Sequence, residues 1–304
     1  MVRVRILGNE YDFAGRRDAL CHMQAATSET RISMNLDEGK SSAAPSMTKH
    51  GDALEGRSKQ RSVNEWSQPP STLAYPTGRV DVWRVRLDEL PRAGSRTDSL
   101  SADEIARSSR FHFDKDRVHF TRCRAALRSL LGDYLAIPAP EVRFEYHASG
   151  KPQLAADQNP RALQFNVSHS ANMALIAVGS DHRLGVDLER IRGDVDTSSL
   201  AERFFSLRER AELHALSEQL RVAGFFACWT RKEAFLKATG HGLSFPLTDF
   251  SVTTHPNQDP ELREIKGNAE AAKQWSLRDL IVEGFRATLA LDRVQFRMDT
   301  YSWN

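Results

Sequence analysis

Cysteine is scarce in this sequence. The 304 residues include three cysteines, Cys21, Cys123 and Cys228, which lie far apart and form no Cys-x-x-Cys pair. An odd number of widely spaced thiols excludes a disulfide scaffold and a cysteine-rich zinc module. Because free thiols are typical of a reducing compartment, we expect a cytoplasmic protein.

An excess of either charge is missing as well. Lysine and arginine number 42 against 40 aspartate and glutamate residues, which gives a net charge of +2. This near-balance argues against a protein that coats nucleic acid or an anionic membrane, so neither is predicted as a partner. Hydrophobic residues at 40% and aromatic residues at 8% are typical of a folded globular protein.

Long hydrophobic runs and the common nucleotide-binding motifs are also absent. The cleanest apolar segment, 173–178, predicts a buried strand and is far shorter than a membrane span. Residues 1–8 are too short and too charged for the core of a signal peptide. The chain has no P-loop, no Gly-x-Gly-x-x-Gly fingerprint and no Gly-x-Ser-x-Gly elbow, which argues against ordinary nucleotide-binding folds and serine hydrolases.

The first quarter of the chain differs from the rest. Between residues 28 and 78 apolar residues are scattered without a period of 2 or 3.6, and turn-forming residues are frequent. We expect residues 1–78 to form a poorly ordered extension. Within it, a short strand at 2–7 and a short helix at 16–26 are predicted.

From residue 79 onward the hydrophobic pattern is dense. Strands are predicted at 80–87, 142–146, 163–167, 173–178, 184–191, 249–254 and 285–292. Helices are predicted after Ser101 and at 115–134, 198–220 and 222–239. These elements form two comparable halves, 79–181 and 182–300, which indicates an α+β fold.

Two acids follow each other on one face of the predicted strand at 184–191. Side chains alternate along a strand, so Asp187 and Glu189 share a face at a separation of roughly 6.5 Å. If the site is partly buried, their repulsion is about 2.5 kcal/mol, and a divalent cation would turn it into attraction. Oxygen ligands favour Mg²⁺ or Mn²⁺ over zinc. The alternative is an amphipathic strand with two solvated acids.

A third acid lies on an apolar helix face. Phe226, Trp229 and Leu236 form a stripe at helical spacing, and Glu233 falls inside it. A carboxylate on a core-facing side needs a partner, since burying it alone is very costly. The alternative is an exposed pair of Glu233 with Lys237 at i+4, which would contribute a few tenths of a kcal/mol.

Polar and basic residues provide candidate phosphate contacts. Ser168 and His169 follow an apolar strand and suit anion binding, although a strand-end turn explains the segment better when it is taken alone. Between residues 103 and 128, seven basic residues outnumber four acids, and Lys151 lies in a Gly-Lys-Pro turn. Such charges either form a solvated helix face or, in a cleft, bind a multiply phosphorylated ligand.

Five segments with distinctive residues follow one another along the chain. They are Gly150-Lys-Pro, Phe165-Asn-Val-Ser-His-Ser, Leu184-Gly-Val-Asp-Leu-Glu, Arg203-Phe-Phe-Ser and Trp229-Thr-Arg-Lys-Glu-Ala-Phe-Leu-Lys-Ala. Gly240-His-Gly-Leu and Phe245-Pro-Leu follow them. In this order, the segments resemble the 4′-phosphopantetheinyl transferase family, in its larger surfactin-synthetase-activating type. The resemblance begins near Arg79 and runs almost to the C-terminus, so the first 75 or so residues depart from the family.

The resemblance implies an enzyme that moves the phosphopantetheine arm of coenzyme A to a serine of an apo acyl or peptidyl carrier protein. Adenosine 3′,5′-bisphosphate would be released. It also implies two similar, pseudo-symmetric α/β halves, each a small antiparallel sheet with a long packed helix. Coenzyme A would bind in the cleft between the halves. Because two fused halves can form that cleft within one chain, we expect a monomer.

The resemblance also assigns roles to residues. The metal ligands, for Mg²⁺ or possible Mn²⁺, fall on Asp187, Glu189 and Glu233. The catalytic positions fall on Glu233, which would accept the serine proton, and Lys237, which would stabilise or protonate the departing phosphate. The coenzyme A contacts fall on Lys115, Lys151, Ser168 and His169.

Two other functions compete with this one. A different Mg²⁺-dependent phosphotransferase or nuclease would use the same acids and lysine without a protein acceptor. A non-enzymatic basic module would use the arginines between residues 107 and 128 to hold an acidic partner. The near-zero net charge and the carboxylate on an apolar face argue against both.

Overall fold

The computed structural model describes residues 2–6, 9–13, 66–89, 97–146, 150–241 and 245–303. Of the predicted extension up to residue 65, the structure describes only one pair of strands. The helix predicted at 16–26 lies outside the described residues. The strand predicted at 2–7 is present as β1 (Val2–Ile6), and it pairs with an unpredicted strand, β2 (Asn9–Phe13). No helix within the described ranges is long and apolar enough to cross a membrane.

The remaining elements mix helices and strands along the chain. The strands are β3 (Arg79–Arg86), β4 (Phe144–Tyr146), β5 (Pro152–Leu154), β6 (Leu163–Ser170), β7 (Met173–Ser180), β8 (Leu184–Arg190), β9 (Phe250–Val252), β10 (Leu262–Ile265), β11 (Ser276–Leu280), β12 (Phe285–Leu291) and β13 (Arg297–Trp303). The helices are α1 (Ala102–Ser108), α2 (Asp114–Leu135), α3 (Thr197–Phe204), α4 (Leu207–Ala215), α5 (Glu218–Thr239) and α6 (Ala269–Ala272). The predicted α+β class is confirmed at this level.

A four-stranded sheet has the order β13-β3-β7-β6. Strands β3, β7 and β6 pair antiparallel, but β13 pairs parallel with β3. The sheet is therefore mixed, and the expectation of a purely antiparallel sheet is wrong here, because the last strand returns to the edge of β3. One face of the sheet packs on helix α2 through Trp83, Phe165, Ile176 and Leu127.

A three-stranded antiparallel sheet, in the order β11-β12-β8, lies next to it. Because side chains alternate, Val186 and Leu188 of β8 pack with Val82 and Leu175 on the second face of the four-stranded sheet. The opposite face of β8 and β12 packs on α5. The order of layers is therefore helix α2, four-stranded sheet, three-stranded sheet and helix α5.

Helix α5 also contributes to a third hydrophobic core. Phe205, Phe225 and Trp229 stack there with residues of α3, α4 and β9. The single helix predicted at 198–220 is wrong, because the chain is extended at Phe205 and restarts at Ser206. Ser206 and Glu209 form a capping box that begins α4.

Residues 66–78, which the sequence analysis places in the extension, pack on the folded part of the chain. Trp66 Nε1 donates to the carbonyl of Ile281 at 2.7 Å. Ser67 pairs through its backbone with Thr300 and Ser302 at 2.9 Å each, along the outer edge of β13. The segment has no hydrophobic period because single side chains, rather than a repeating face, hold it.

Candidate active site

The three predicted acids are buried between β8 and α5. Asp187, Glu189 and Glu233 are 0%, 1% and 2% exposed. Asp187 and Glu189 point toward α5 because they alternate with the apolar residues of β8 that face the other sheet. Gly185 on the same face allows the helix to approach, since a Cβ there would lie 2.2 Å from the carbonyl oxygen of Ala234.

Asp187 lies at the centre of a polar contact between three elements. Its Oδ1 accepts from Lys237 Nζ at 2.7 Å and from Ser168 Oγ at 3.0 Å. Lys237 Nζ also donates to Ser168 Oγ at 2.9 Å. The other oxygen, Oδ2, is buried and has no hydrogen-bond partner among the described residues. One oxygen of Asp187 is therefore fixed by the protein and the other is available to a ligand.

Glu189 is strongly perturbed by its surroundings. Its carboxylate accepts from Ser170 Oγ at 3.0 Å. Burial, followed by the negative charges of Asp187 and Glu233, raises the pKa of Glu189 to about 9. The mutual repulsion means that the three carboxylates lie within electrostatic reach of one another. Crowded buried acids of this kind are typical of a cation site or an acid–base site.

The residue types fit a hard divalent cation. Carboxylate oxygens are the ligands that Mg²⁺ prefers, and Asp187 Oδ2 is a buried acceptor that a cation would satisfy. Among the described residues, however, no three His, Cys, Asp or Glu side chains are already arranged to hold an ion. Instead, the ammonium group of Lys237 forms an ion pair with Asp187. The donor chemistry therefore fits Mg²⁺, although a closed set of ligands is not formed.

Lys151 lies beside this site at the end of α5. Its Nζ donates to the carbonyl of Lys237 at 2.8 Å and to that of Leu184 at 3.2 Å. Burial, followed by the positive charge of Arg183, lowers the pKa of Lys151 to about 8. Lys151 thus joins the first half of the chain to the start of β8 and to the end of α5.

Lys115 and His169 are exposed near the turn between β6 and β7. His169 lies at the end of β6, and Lys115 lies in the first turn of α2. One helical turn after Lys115, the buried His119 hydrogen-bonds the backbone of Ala171 in that β6–β7 turn. The structure therefore brings the start of α2 to the end of β6, although it shows no direct contact of Lys115 with the acids.

Comparison with known proteins identifies the family. Residues 83–181 match a family described as 4′-phosphopantetheinyl transferase, N-terminal, and residues 183–290 match the 4′-phosphopantetheinyl transferase superfamily. The 4′-phosphopantetheinyl transferase HetI of Nostoc sp. is 38% identical over 218 residues, which cover 71% of this chain and 88% of HetI. The chain belongs to the 4′-phosphopantetheinyl transferase superfamily.

Other phosphopantetheinyl transferases are also similar. The 4′-phosphopantetheinyl transferase ffp of Bacillus subtilis is 31% identical over 180 residues, 58% of this chain and 77% of ffp. The L-aminoadipate-semialdehyde dehydrogenase-phosphopantetheinyl transferase of Xenopus laevis is 30% identical over 167 residues, 52% of this chain and 55% of that protein. The predicted family and the predicted enzyme class are confirmed.

In this phosphopantetheinyl transferase, part of the basic region supports the fold. Arg124 and Arg128 of α2 bind the two oxygens of the buried Glu104, each through Nε at 2.6 Å. Glu104 in turn caps α1 by accepting from the backbone of Ser101 at 3.0 Å. Two of the arginines proposed for a basic binding module are thus engaged inside the protein, which weighs against that function.

Two ion pairs next to Glu233 on α5 were not predicted from the sequence. Lys232 Nζ lies 2.7 Å from both carboxylate oxygens of Glu209, and Arg231 lies 2.6 Å from Asp279. These pairs show that α5 is buried on several sides, so Glu233 is not enclosed by an apolar stripe alone. The capping motif at Ser206 signals Glu209, but no local pattern signals its long-range partner.

Proposed function

We propose that this transferase moves the 4′-phosphopantetheine arm of coenzyme A to a serine hydroxyl of an apo acyl or peptidyl carrier protein, and releases adenosine 3′,5′-bisphosphate. The observation that carries the proposal is the contact of Asp187 with Lys237 and Ser168, beside Glu189 and Glu233. It combines crowded carboxylates with a lysine, as a phosphoryl transfer at a pyrophosphate requires.

Asp187, Glu189 and Glu233 would hold Mg²⁺, with Mn²⁺ as a substitute. When bound, the ion supplies neutralisation of the charge that develops on the pyrophosphate during transfer. Two observations support this proposal. Asp187 Oδ2 is a buried acceptor that a cation would satisfy, and a cation would lower the raised pKa of Glu189. Lys237 holds Oδ1 of Asp187, so the free oxygen is the one directed at the ligand.

Two residues would act on the reacting groups. Glu233 would accept the proton of the attacking serine, directly or through a water, since its buried carboxylate lies among groups of the same charge. Lys237 would donate to the departing phosphate. Its ammonium group already makes two hydrogen bonds, to Asp187 and Ser168, and a third donor remains for the substrate.

We place the coenzyme A contacts on Lys115, Lys151, Ser168 and His169. Lys151 makes two backbone hydrogen bonds in the structure and has one further donor for a phosphate. His169 and Lys115 are exposed on neighbouring ends of β6 and α2, where a ligand can reach them. The contact of Ser168 stays a prediction, because its hydroxyl group already bonds inside the protein.

We propose that the chain comprises an N-terminal extension at 1–78 and two pseudo-symmetric transferase halves at 79–181 and 182–300, with coenzyme A in the cleft between them. In support, the two family matches meet between residues 181 and 183. Each proposed half also contains a 22-residue helix, α2 or α5, packed on a sheet. The monomeric state and the cytoplasmic location stay predictions.

The deciding experiment is mass spectrometry of apo carrier proteins incubated with the enzyme, coenzyme A and Mg²⁺. We expect the serine-bearing peptide to gain the mass of the phosphopantetheine arm, and to gain nothing with EDTA or with Asp187→Ala. An unaltered carrier, together with cleavage of nucleotides or nucleic acid in its absence, would favour the competing phosphotransferase or nuclease.

The role of Lys115 has its own test. Lys115→Ala should raise the KM for coenzyme A and leave kcat close to the wild-type value, because the residue is exposed and distant in sequence from the acids. Arg208→Ala is a matched control, since Arg208 is an exposed cation that pairs with Glu212 on α4. An unchanged KM in the Lys115 variant would remove it from the binding site.

A further inference from the structure

Alternate residues of β6 bond to β8, which belongs to the other sheet. Each of the three bonds joins a side-chain oxygen of β6 to a backbone N–H that lies 20 residues later. Asn166 Oδ1 accepts from the N–H of Val186 at 2.8 Å. Ser168 Oγ accepts from the N–H of Leu188 at 3.2 Å, and Ser170 Oγ accepts from the N–H of Arg190 at 3.1 Å. Side chains thus replace the backbone ladder that would join neighbouring strands.

Each of the two serines also makes a second hydrogen bond to β8, and the spacing along the chain is the same in both cases. Ser168 Oγ donates to Asp187 Oδ1 at 3.0 Å, and Ser170 Oγ donates to Glu189 Oε2 at 3.0 Å. Each serine therefore binds the carboxylate 19 residues later as well as the N–H group 20 residues later. The position that corresponds to Asn166 is Gly185, which has no side chain to bind.

We propose that Ser168 and Ser170 are positioning residues for the two β8 carboxylates. Each serine takes its own position from a β8 N–H group and then fixes one oxygen of the adjacent acid. In Asp187, the second oxygen is buried without a hydrogen-bond partner among the described residues, and it would be available to the metal ion. The inference rests on the proposed function, because it assumes that Asp187 and Glu189 hold the ion.

The hydrogen-bonding capacity of the Ser168 hydroxyl group supports this role. A hydroxyl group has one donor and two acceptor positions. In Ser168 the donor is used by Asp187, and the acceptor positions are used by Leu188 N–H and Lys237 Nζ. A hydrogen bond from this hydroxyl to coenzyme A would have to break one of the three.

Ser170 provides the cleaner test, because its hydroxyl group bonds to Glu189 and to the backbone of Arg190, whereas that of Ser168 also bonds to the proposed catalytic Lys237. The variants are Ser170→Ala, Ser170→Thr and the control Ser180→Ala. Ser180 is a buried serine of β7 whose hydroxyl group donates to the carbonyl of Pro76 instead. The measurement is Mn²⁺ binding by EPR of the free ion, with saturating coenzyme A.

We expect Ser170→Ala to bind Mn²⁺ about 10- to 100-fold more weakly, as is usual when a partner of a metal ligand is removed. Ser170→Thr keeps the hydroxyl group, so its Mn²⁺ affinity should stay within about threefold of the wild-type value. The Mn²⁺ affinity of Ser180→Ala should equal that of the wild type. If the alanine variant does not fold, Ser170→Cys replaces it, since its weak S–H donor should give an intermediate affinity.

A second control separates carboxylate orientation from the strand junction. Asn166→Ala removes the hydrogen bond from the N–H of Val186 in β8, but the position that corresponds to Asn166 is Gly185, which carries no carboxylate. This variant should therefore lower the Tm and leave Mn²⁺ affinity unchanged. Wild-type affinity in Ser170→Ala or Ser170→Cys would overturn the proposal, as would equal weakening by Asn166→Ala. No Mn²⁺ binding by the wild-type enzyme would instead overturn the metal assignment, and the positioning role with it.

Discussion

Two buried glutamates associated with helix α5 differ in their partners. Glu209, from α4, accepts two bonds from Lys232 Nζ and one from the backbone of Val252 at 2.8 Å. Glu233, on α5 itself, lies near the like charges of Asp187 and Glu189. The first arrangement pairs a buried carboxylate with a buried cation, whereas the second brings like charges together, and a bound cation would relieve their repulsion.

Exchanging each of these acids for its amide should separate stability from catalysis. Glu233→Gln should lower kcat by about 100-fold or more, because it removes the proposed base, while the Tm should stay the same or rise. Glu209→Gln should lower the free energy of unfolding by about 3–5 kcal/mol, because Lys232 is left buried without a counter-charge. Urea unfolding and carrier-modification rates measure both. A Glu233 variant with wild-type kcat would contradict the assignment.

Glu189 predicts a dependence of stability on pH. Its folded-state pKa of about 9 lies above its ordinary value of 4.5, so between these values the folded protein binds more protons than the unfolded chain. Stability from this group therefore falls as pH rises through that window, by up to about 1.4 kcal/mol per pH unit. In metal-free buffer, the Tm difference between Glu189→Gln and the wild type should grow from pH 5 to pH 8. A constant difference would show that Glu189 ionises normally.

At the residue scale, the sequence indicated the face on which each acid lies but not how the acid is held. Alternation along a strand placed Asp187 and Glu189 on one face, and burial of Glu233 followed from its helical position. The bonds of Asp187 to Ser168 and Lys237 join residues 19 and 50 positions apart. No local pattern encodes such distant pairs, which depend on how three elements pack.

At the scale of elements, the distance between β8 and α5 depends on one glycine. Gly185→Ala should place a Cβ about 2.2 Å from Ala234 O and 2.3 Å from Ala238 N, and neither backbone atom can move without shifting the helix. We expect a loss of about 1–3 kcal/mol or more in the free energy of unfolding. Transfer should also weaken, because Lys237 would move away from Asp187.

The matched control for this prediction is Gly193→Ala, since a Cβ at Gly193 would meet nothing within 4 Å. Chemical unfolding and carrier modification, measured for both variants, give the comparison. Equal stability of the two alanine variants would show that β8 and α5 tolerate a wider spacing.

Long periodic elements could be predicted, whereas several short or charged ones could not. Helix α2 was expected at 115–134 and spans Asp114–Leu135, and the strand expected at 184–191 spans Leu184–Arg190. Strands β10, β11 and β13 were missed, because they are short or carry charged residues such as Arg278 and Arg297 within the strand. Their formation depends on pairing with distant strands.

At the scale of the whole molecule, the two sheets share one core, and β13 ties the last residues of the chain to β3. Differential scanning calorimetry of the metal-free protein should therefore show one cooperative transition for the described part of the chain. Two separate transitions would mean that the halves unfold independently.

Trp303 tests this coupling, because it lies at the end of the chain yet contacts the first half. Its ring centroid lies 6.0 Å from that of Trp83. Trp303→Ala should lower the free energy of unfolding by about 3–5 kcal/mol and move the single transition without splitting it. Val294→Ala, at a side chain 59% exposed, should change stability by no more than about 0.5 kcal/mol.

The segment that pairs with β13 bears on how shortened versions of this enzyme would behave. The family match begins at residue 83, whereas Ser67, which lies before that match, pairs with the outer edge of β13 in the four-stranded sheet. A gene that begins at β3 and keeps β13 would lack Ser67 and leave the backbone C=O of Thr300 and the backbone N–H of Ser302 open to solvent. Such an edge recruits strands from other molecules, so the trimmed protein would aggregate during expression even with every acid of its active site intact.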